Sequence, residues 1–150
     1  ESELGLIKAI NYKTCGHLTK AFHGACPEGI DVYFENVGGS HLEAALSVMN
    51  PNGRIALCGM IEQYNDTTPR PGPNNLMAAI AKSLKIQGFI VSNHSDLSKK
   101  FLSDMKFWID AGKMQWKETI DEGIESAPDA FLKLFKGQNF GKMLVRISEE

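Results

Sequence analysis

The chain is poor in the features that mark several classes of protein. Its 150 residues include three cysteines, Cys15, Cys26 and Cys58, so a disulfide scaffold is disfavoured and a reducing, cytoplasmic setting is expected. Sixteen Lys and Arg residues against eighteen Asp and Glu residues leave a net charge of -2, which does not favour a nucleic-acid partner. No apolar run approaches the ~20 residues of a membrane-spanning helix, so we expect no membrane partner.

Strand patterns alternate with helical patterns along most of the sequence. Hydrophobic residues make up 43% of the chain, enough for a sizeable core. Buried strands are predicted over residues 30–37, 54–60 and 85–91. Helices are predicted over residues 17–25, 40–49, 76–84 and 96–112. This alternation predicts an α/β fold, a Rossmann-like parallel sheet with helices on both faces.

Local signals predict where several elements begin and end. Capping boxes are predicted at Ser40 with Glu43 and at Ser126 with Asp129. The segment Pro51-Asn52-Gly53 is predicted to end one helix, and Gly137 another. Further short strands are predicted over residues 9–12, 116–120 and 142–147. The polar stretch 62–75 has no periodicity and is long enough to predict a functional lid.

The glycine-rich fingerprint of dinucleotide-binding proteins is missing. No strand is followed by the G-x-G-x-x-G turn that cradles a dinucleotide phosphate. The order of elements over residues 30–91 therefore predicts the second half of a dinucleotide-binding fold without the first. The chain opens on Glu1 rather than Met, and its first six residues read as the end of a helix capped by Gly5. We expect the sequence to be a piece of a longer protein.

The residues that follow each predicted strand are candidates for a ligand site. In an open parallel sheet, ligands bind beyond the carboxyl ends of the strands. That rule selects residues 36–39, 58–64 and 89–91. Gly38, Gly39 and Gly59 would permit close backbone approach there, although tight turns alone explain these glycines equally well.

Five segments occur in an order that resembles a known family. They are Asn11-Tyr12-Lys13, residues 33–39, residues 53–65, residues 86–89 and residues 139–142. Together they resemble the C-terminal part of the zinc-independent medium-chain dehydrogenase/reductases. The nearest branch is the NADP(H)-dependent double-bond reductases, which include prostaglandin reductase, plant alkenal reductase and bacterial curcumin reductase. The resemblance implies a truncated NADP-binding Rossmann domain over residues 1–112. Residues 113–150 would return to a GroES-like catalytic domain.

The resemblance also implies an activity, a cofactor and partners. The enzyme would transfer a hydride from NADPH to the C=C bond of an α,β-unsaturated ketone or aldehyde, without a metal. Its partner is then a small enone or enal, and we expect a homodimer for the full-length protein. The isolated fragment should bind NADPH poorly and reduce no enone. Two alternatives stay open: an NADPH quinone oxidoreductase of the same superfamily, and a nucleotide-binding or interaction module without catalysis.

Site residues are carried over from the resemblance one position at a time. Tyr12 resembles the tyrosine that contacts the 2′-phosphate of the adenosine, and Asn36 resembles an asparagine beside the cofactor. The stretch from Cys58 to Tyr64 resembles the segment around the nicotinamide half. The cofactor-binding residues expected within this stretch are Cys58, Gly59, Met60, Ile61 and Tyr64. Those expected elsewhere are Phe89, Ile90 and Val91, whose backbone would meet the carboxamide, and Asn139, which would close over the cofactor.

Two questions about the chemistry are the identity of the proton donor and whether a cluster of Cys and His residues binds a metal. Some plant relatives carry a tyrosine where this chain has Ala81, so Tyr64 is the candidate catalytic residue, with a ribose hydroxyl or water as alternatives. The cluster of Cys15, His17, His23 and Cys26 invites a zinc interpretation. One residue separates the first pair, which is outside the C-x2-4-C spacing, so no metal site is predicted.

Overall fold

The computed structural model describes residues 5–148, which form two compact units divided between Asp96 and Leu97. The predicted helix end over the first residues lies mostly outside this described range. The two units are described separately below. The boundary after residue 112 between a cofactor domain and a returning segment stays a prediction.

The first unit contains a three-stranded parallel sheet. Its helices are α1 (Leu18–Ala25), α2 (Gly39–Val48) and α3 (Met77–Ala81), and its strands are β1 (Ile30–Glu35), β2 (Met49–Leu57) and β3 (Lys85–Gly88). The strand order is β1-β2-β3, with both neighbouring pairs parallel. The predicted alternation of strands and helices and the parallel sheet are confirmed. Short 3₁₀ segments follow β2 at Ile61–Gln63 and β3 at Val91–Leu97.

The core of this unit lies between α2 and one face of the sheet. Leu42 and Leu46, four residues apart on α2, pack with Met49 and Ile55 of β2. Leu46 is fully buried, and burying such a side chain contributes roughly 1.5–3 kcal/mol. On the opposite face of the sheet, Val32 and Phe34 of β1 are 57% and 58% exposed. Val32 and Phe34 therefore remain largely exposed on the face of the sheet opposite this core.

Two local predictions for the strands of this unit are wrong. Residues 9–12 form no strand, because the Asn11 carbonyl accepts hydrogen bonds from the amides of Thr14 and Cys15 and turns the chain. Strand β2 begins at Met49 and runs through Pro51 to Gly53, which the sequence placed in a turn. The irregularity is absorbed by a register shift between Ile30 and Val32 on β1 and by a positive φ of 62° at Asn52.

The predicted capping box of α2 is also wrong. The helix begins at Gly39 with Gly38 as its N-cap, and no side chain caps it. The Glu43 carboxylate instead accepts a hydrogen bond of 2.7 Å from the Asn74 amide. The Glu43 side chain, which the local sequence predicts to cap the N-terminus of α2, therefore makes a tertiary contact instead.

The second unit contains two parallel strands and two helices. Its elements are α4 (Ser98–Asp110), β4 (Glu118–Glu122), a 3₁₀ turn (Ile124–Ser126), α5 (Ala127–Lys136) and β5 (Lys142–Arg146). Gly137 ends α5 in the left-handed conformation, as predicted. The capping box at Ser126 is wrong, because its hydroxyl donates to the Gly123 carbonyl. No helix within residues 5–148 is long and apolar enough to cross a membrane.

Candidate functional site

A buried carboxylate organises the turn that leaves β1. Glu35 is 0% exposed, and its Oε1 accepts hydrogen bonds from the amides of Val37 at 2.5 Å and Gly38 at 2.9 Å. Gly38 then enters α2 with φ 77° and ψ -157°, a conformation that favours glycine. The Oε2 atom has no hydrogen-bond partner among the described residues. Glu35 thus fixes the backbone directly after the strand, where parallel sheets bind ligands.

The backbone of this turn also binds the segment that follows β2. The Glu35 carbonyl accepts hydrogen bonds from the amides of Cys58 at 2.9 Å and Gly59 at 3.1 Å. The Asn36 carbonyl accepts from Ile61 at 3.0 Å, and the Val37 carbonyl accepts from Glu62 at 3.0 Å. These bonds hold the two predicted cofactor segments side by side at the carboxyl edge of the sheet.

The segment after β3 joins the same edge. The amide of Phe89 donates to the Leu57 carbonyl at 3.1 Å, which continues the sheet beyond its last assigned residue. The Phe89 ring lies 5.9 Å from Phe34 and 6.0 Å from the His94 ring. Ile90 and Val91 follow as exposed residues. Aromatic contacts therefore fix Phe89, while the next two residues present free surface at the strand end.

Tyr64 folds back over the glycine that follows β2. A Cβ atom built on Gly59 would lie 3.2 Å from the Tyr64 hydroxyl and 3.5 Å from the Asn36 carbonyl oxygen. Tyr64 is 67% exposed. Within residues 5–148, neither its hydroxyl nor the Asn36 side-chain amide has a hydrogen-bond partner. The structure thus brings Asn36, Gly59 and Tyr64 together and leaves two polar groups available to a ligand.

The Met60 side chain contacts the turn at Gly38 and the core of this unit. A Cβ atom built on Gly38 would lie 3.0 Å from the Met60 Cβ, so the two loops are in direct contact. Met60 also packs against the core formed by α2 and β2. Its side chain supports the site, while its backbone belongs to the segment that the sequence predicted to meet the cofactor.

Two predicted cofactor residues make none of the contacts described above. Tyr12 lies beside the first turn of α2, where its ring meets the His41 ring edge-on at 5.2 Å. Both rings line a cavity of about 390 Å³ together with residues of the first turns of α1 and α2. Asn139 belongs to the second unit, where its side-chain amide donates to the Gly141 carbonyl at 2.7 Å. The roles of both residues stay predictions.

The predicted lid is tethered at both ends. Arg70 forms ion pairs with Glu62 at 3.1 Å and with Asp66 at 2.6 Å. Farther along, the Asn75 side-chain amide donates to the Glu43 carbonyl and to the Ser47 hydroxyl of α2. These tethers were not predicted from the sequence. The opposite charges of Asp66 and Arg70, four residues apart, are a sequence signal for the ion pair between them.

Two further observations concern ionisation and metals. Burial raises the pKa of Tyr33 well above its ordinary value, and the nearby Glu35 carboxylate raises it further, so this tyrosine stays neutral. Ala81 ends α3 and offers no proton. Among the described residues, no group of three or more His, Cys, Asp or Glu side chains could hold a metal ion. A metal-free site remains a prediction.

Residues 2–106 match the family described as zinc-binding dehydrogenase. The chain is 43% identical over 150 residues to 2-alkenal reductase (NADP(+)-dependent) of Nicotiana tabacum, covering 100% of this chain and 43% of that protein. It is 42% identical over 150 residues to (+)-pulegone reductase of Mentha piperita, covering 100% and 44%.

A solved structure is similar to this chain over nearly its whole length. CurA from Vibrio vulnificus, in complex with NADPH, is 36% identical, with a TM-score of 0.86 over 97% of this chain and 44% of that one. The chain therefore spans less than half the length of the curated relatives it matches.

Proposed function

The chain belongs to the zinc-binding dehydrogenase family, and we propose that it forms the C-terminal part of an NADP(H)-dependent double-bond reductase. The resemblance drawn from the sequence is confirmed by relatives at 42% and 43% identity. The substrate we propose is a small α,β-unsaturated aldehyde or ketone. This choice rests on the relatives named for 2-alkenal and pulegone, which are substrates of those proteins.

The observation that carries the proposal is the meeting of three strand-end segments. Asn36, the stretch 58–64 and Phe89 directly follow three neighbouring strands. Backbone hydrogen bonds join the first two segments, and the Phe89 amide donates to Leu57 at the end of β2. Exposed backbone and free polar side chains at the carboxyl edge of a parallel sheet suit a dinucleotide. The similar CurA structure is a complex with NADPH, which supports the same cofactor for this chain.

The chemistry follows from where the polar groups lie. When bound, NADPH supplies the hydride. The free hydroxyl of Tyr64 would donate a hydrogen bond to the carbonyl oxygen of the substrate and stabilise the negative charge that develops there. The Asn36 side-chain amide would orient the cofactor, and the segment after Phe89 would offer its backbone to the carboxamide. Such fixed donors act by orientation and electrostatic stabilisation.

Several finer features belong to the same proposal. We propose that the reductase works without zinc, in the cytoplasm, as a homodimer, and without nucleic-acid or membrane partners. Tyr12 would contact the 2′-phosphate of the cofactor. Cys58, Met60 and Ile61 would contact its nicotinamide half. Asn139 would close over the cofactor.

A substrate comparison tests the proposal. The full-length protein that carries this chain is assayed for NADPH oxidation with a 2-alkenal, a cyclic enone and a quinone at equal concentrations. We expect oxidation with the alkenal or enone to exceed that with the quinone, and NADPH to be preferred over NADH. Faster turnover of the quinone would favour the quinone oxidoreductase alternative, and absence of NADPH binding would favour a non-catalytic module.

A further inference from the structure

Arg70 forms ion pairs with Glu62 and Asp66, which lie on either side of Tyr64 in the sequence. These three charged side chains are called the Arg70 bracket. The Arg70 Nη1 donates to Glu62 Oε1 at 3.1 Å, and its Nη2 donates to Asp66 Oδ1 at 2.8 Å. Its Nε also lies 2.6 Å from Asp66 Oδ2, so the guanidinium contacts both oxygens of that carboxylate. Arg70 thus combines one hydrogen bond to each of the two carboxylates with a close charge contact to Asp66.

Tyr64 lies in the chain between the two carboxylates that Arg70 binds. Glu62 is two residues before it and Asp66 two residues after it. The side before Tyr64 is also fixed by backbone hydrogen bonds to Asn36 and Val37. On the side after Tyr64, the Asp66 amide donates to the Gln63 carbonyl at 3.1 Å. Arg70 is the side chain that closes this second side.

The rest of the loop cannot supply the same restraint. Residues 67–73 contain three prolines and form no helix or strand. The next tether, at Asn74 and Asn75, attaches the loop to α2 rather than to the turn. The ion pairs of Arg70 with Glu62 and Asp66 therefore hold the chain on both sides of Tyr64, whose hydroxyl lies over Gly59.

We propose that Arg70 is a positioning residue that holds Tyr64 at the substrate side of the site. The inference rests on the proposed function, because it assigns Arg70 to the same reaction through Tyr64. Arg70 is 46% exposed, and exposed ion pairs are screened by solvent. The effect of the bracket should therefore be moderate, sensitive to salt and limited to the orientation of one side chain.

A double-mutant cycle in the full-length protein tests the inference. Arg70→Gln should raise the KM for a 2-alkenal about two- to fivefold, the range expected for an exposed pair, with little change in the dissociation constant of NADPH. Arg70→Lys should restore part of the loss. In a Tyr64→Phe background, Arg70→Gln should have no further effect, because coupled residues are not additive. Additive effects of the two substitutions would overturn the inference.

Hydrogen exchange provides a readout that does not need activity. The amide protons of Tyr64 and Asp66 should exchange about two- to fivefold faster in Arg70→Gln, and 0.5 M NaCl should produce part of the same change in the unmodified protein. Lys106→Gln is the matched control, since Lys106 forms an exposed ion pair with Asp110 at the same spacing on α4. It should leave the KM and both exchange rates unchanged.

The two readouts separate failure of this inference from failure of the proposed function. If the unmodified protein oxidises no NADPH with any alkenal or enone, the proposed function fails, and the positioning claim, which rests on it, fails with it. Unchanged exchange at Tyr64 in Arg70→Gln would overturn that claim whatever the activity. Faster exchange with an unchanged KM would also overturn it, because the bracket would then be structural alone.

Discussion

Glu35 allows the physical account of the site to be tested at one atom. Replacing Glu35 by Met keeps much of the side-chain volume but removes the acceptor for the amides of Val37 and Gly38. Replacing it by Gln keeps one carboxamide oxygen in the place of Oε1. The difference between the two variants therefore isolates the hydrogen bonds from the packing.

The expected magnitude follows from the burial of the two amides. Leaving a buried donor unsatisfied costs about 1–3 kcal/mol. The Gly38 bond is buried and the Val37 bond is partly buried, so Glu35→Met should be less stable than Glu35→Gln by about 2–4 kcal/mol. With a typical dependence on urea, this difference corresponds to a shift of about 1–2 M in the midpoint of unfolding.

The assay is urea denaturation followed by circular dichroism, combined with hydrogen exchange at the Val37 and Gly38 amides. Both amides should exchange faster in Glu35→Met. The exposed Glu28 gives a matched control, since Glu28→Met and Glu28→Gln should differ by less than ~0.5 kcal/mol. If the two Glu35 variants differ as little as the two Glu28 variants, the carboxylate does not hold the turn and the reasoning is refuted.

Three further predictions concern the core, alkaline pH and the cofactor. Leu46→Ala should reduce the free energy of unfolding by about 2–5 kcal/mol, because Leu46 is fully buried; a loss below 1 kcal/mol in denaturation would contradict the described core. Folding raises the pKa of Tyr33, so its contribution to stability is present below pH ~10 and is lost as the pH rises further. Tyr33→Phe should thus flatten the alkaline end of the stability profile, and an unchanged profile would exclude this origin. In the full-length protein, Tyr12→Phe should weaken NADPH binding more than NADH binding in titrations, and equal losses would remove Tyr12 from the 2′-phosphate site.

The parallel sheet was predictable because short strand patterns alternate with helical patterns along the chain. Residues 30–35 and 85–88 lie within the predicted strands, and the helices between them follow a clear 3.6-residue period. The early start of β2 was not predictable, since Pro51 and Gly53 normally mark a turn. There, pairing with β1 through a register shift overrides the local preference.

Within the candidate site, the sequence predicted segments that the fold brings next to one another, but not the contacts that support them. The rule that ligands bind at the carboxyl ends of strands selected Asn36, the stretch 58–64 and Phe89, and hydrogen bonds place these segments together. The control of Glu35 over the turn emerges from two specific hydrogen bonds that the sequence does not indicate. The spacing of Asp66 and Arg70 indicates one contact of the Arg70 bracket. Its second contact, with Glu62, depends on the path of a loop without periodicity.

The destination of the hydride tests the central claim most directly. The full-length protein is incubated with NADPH carrying deuterium at the transferable position of the nicotinamide and with a 2-alkenal, and the product is analysed by mass spectrometry and NMR. The account predicts a saturated aldehyde with deuterium at its β-carbon. Deuterium at the carbonyl carbon of an allylic alcohol, or no transfer at all, would contradict it.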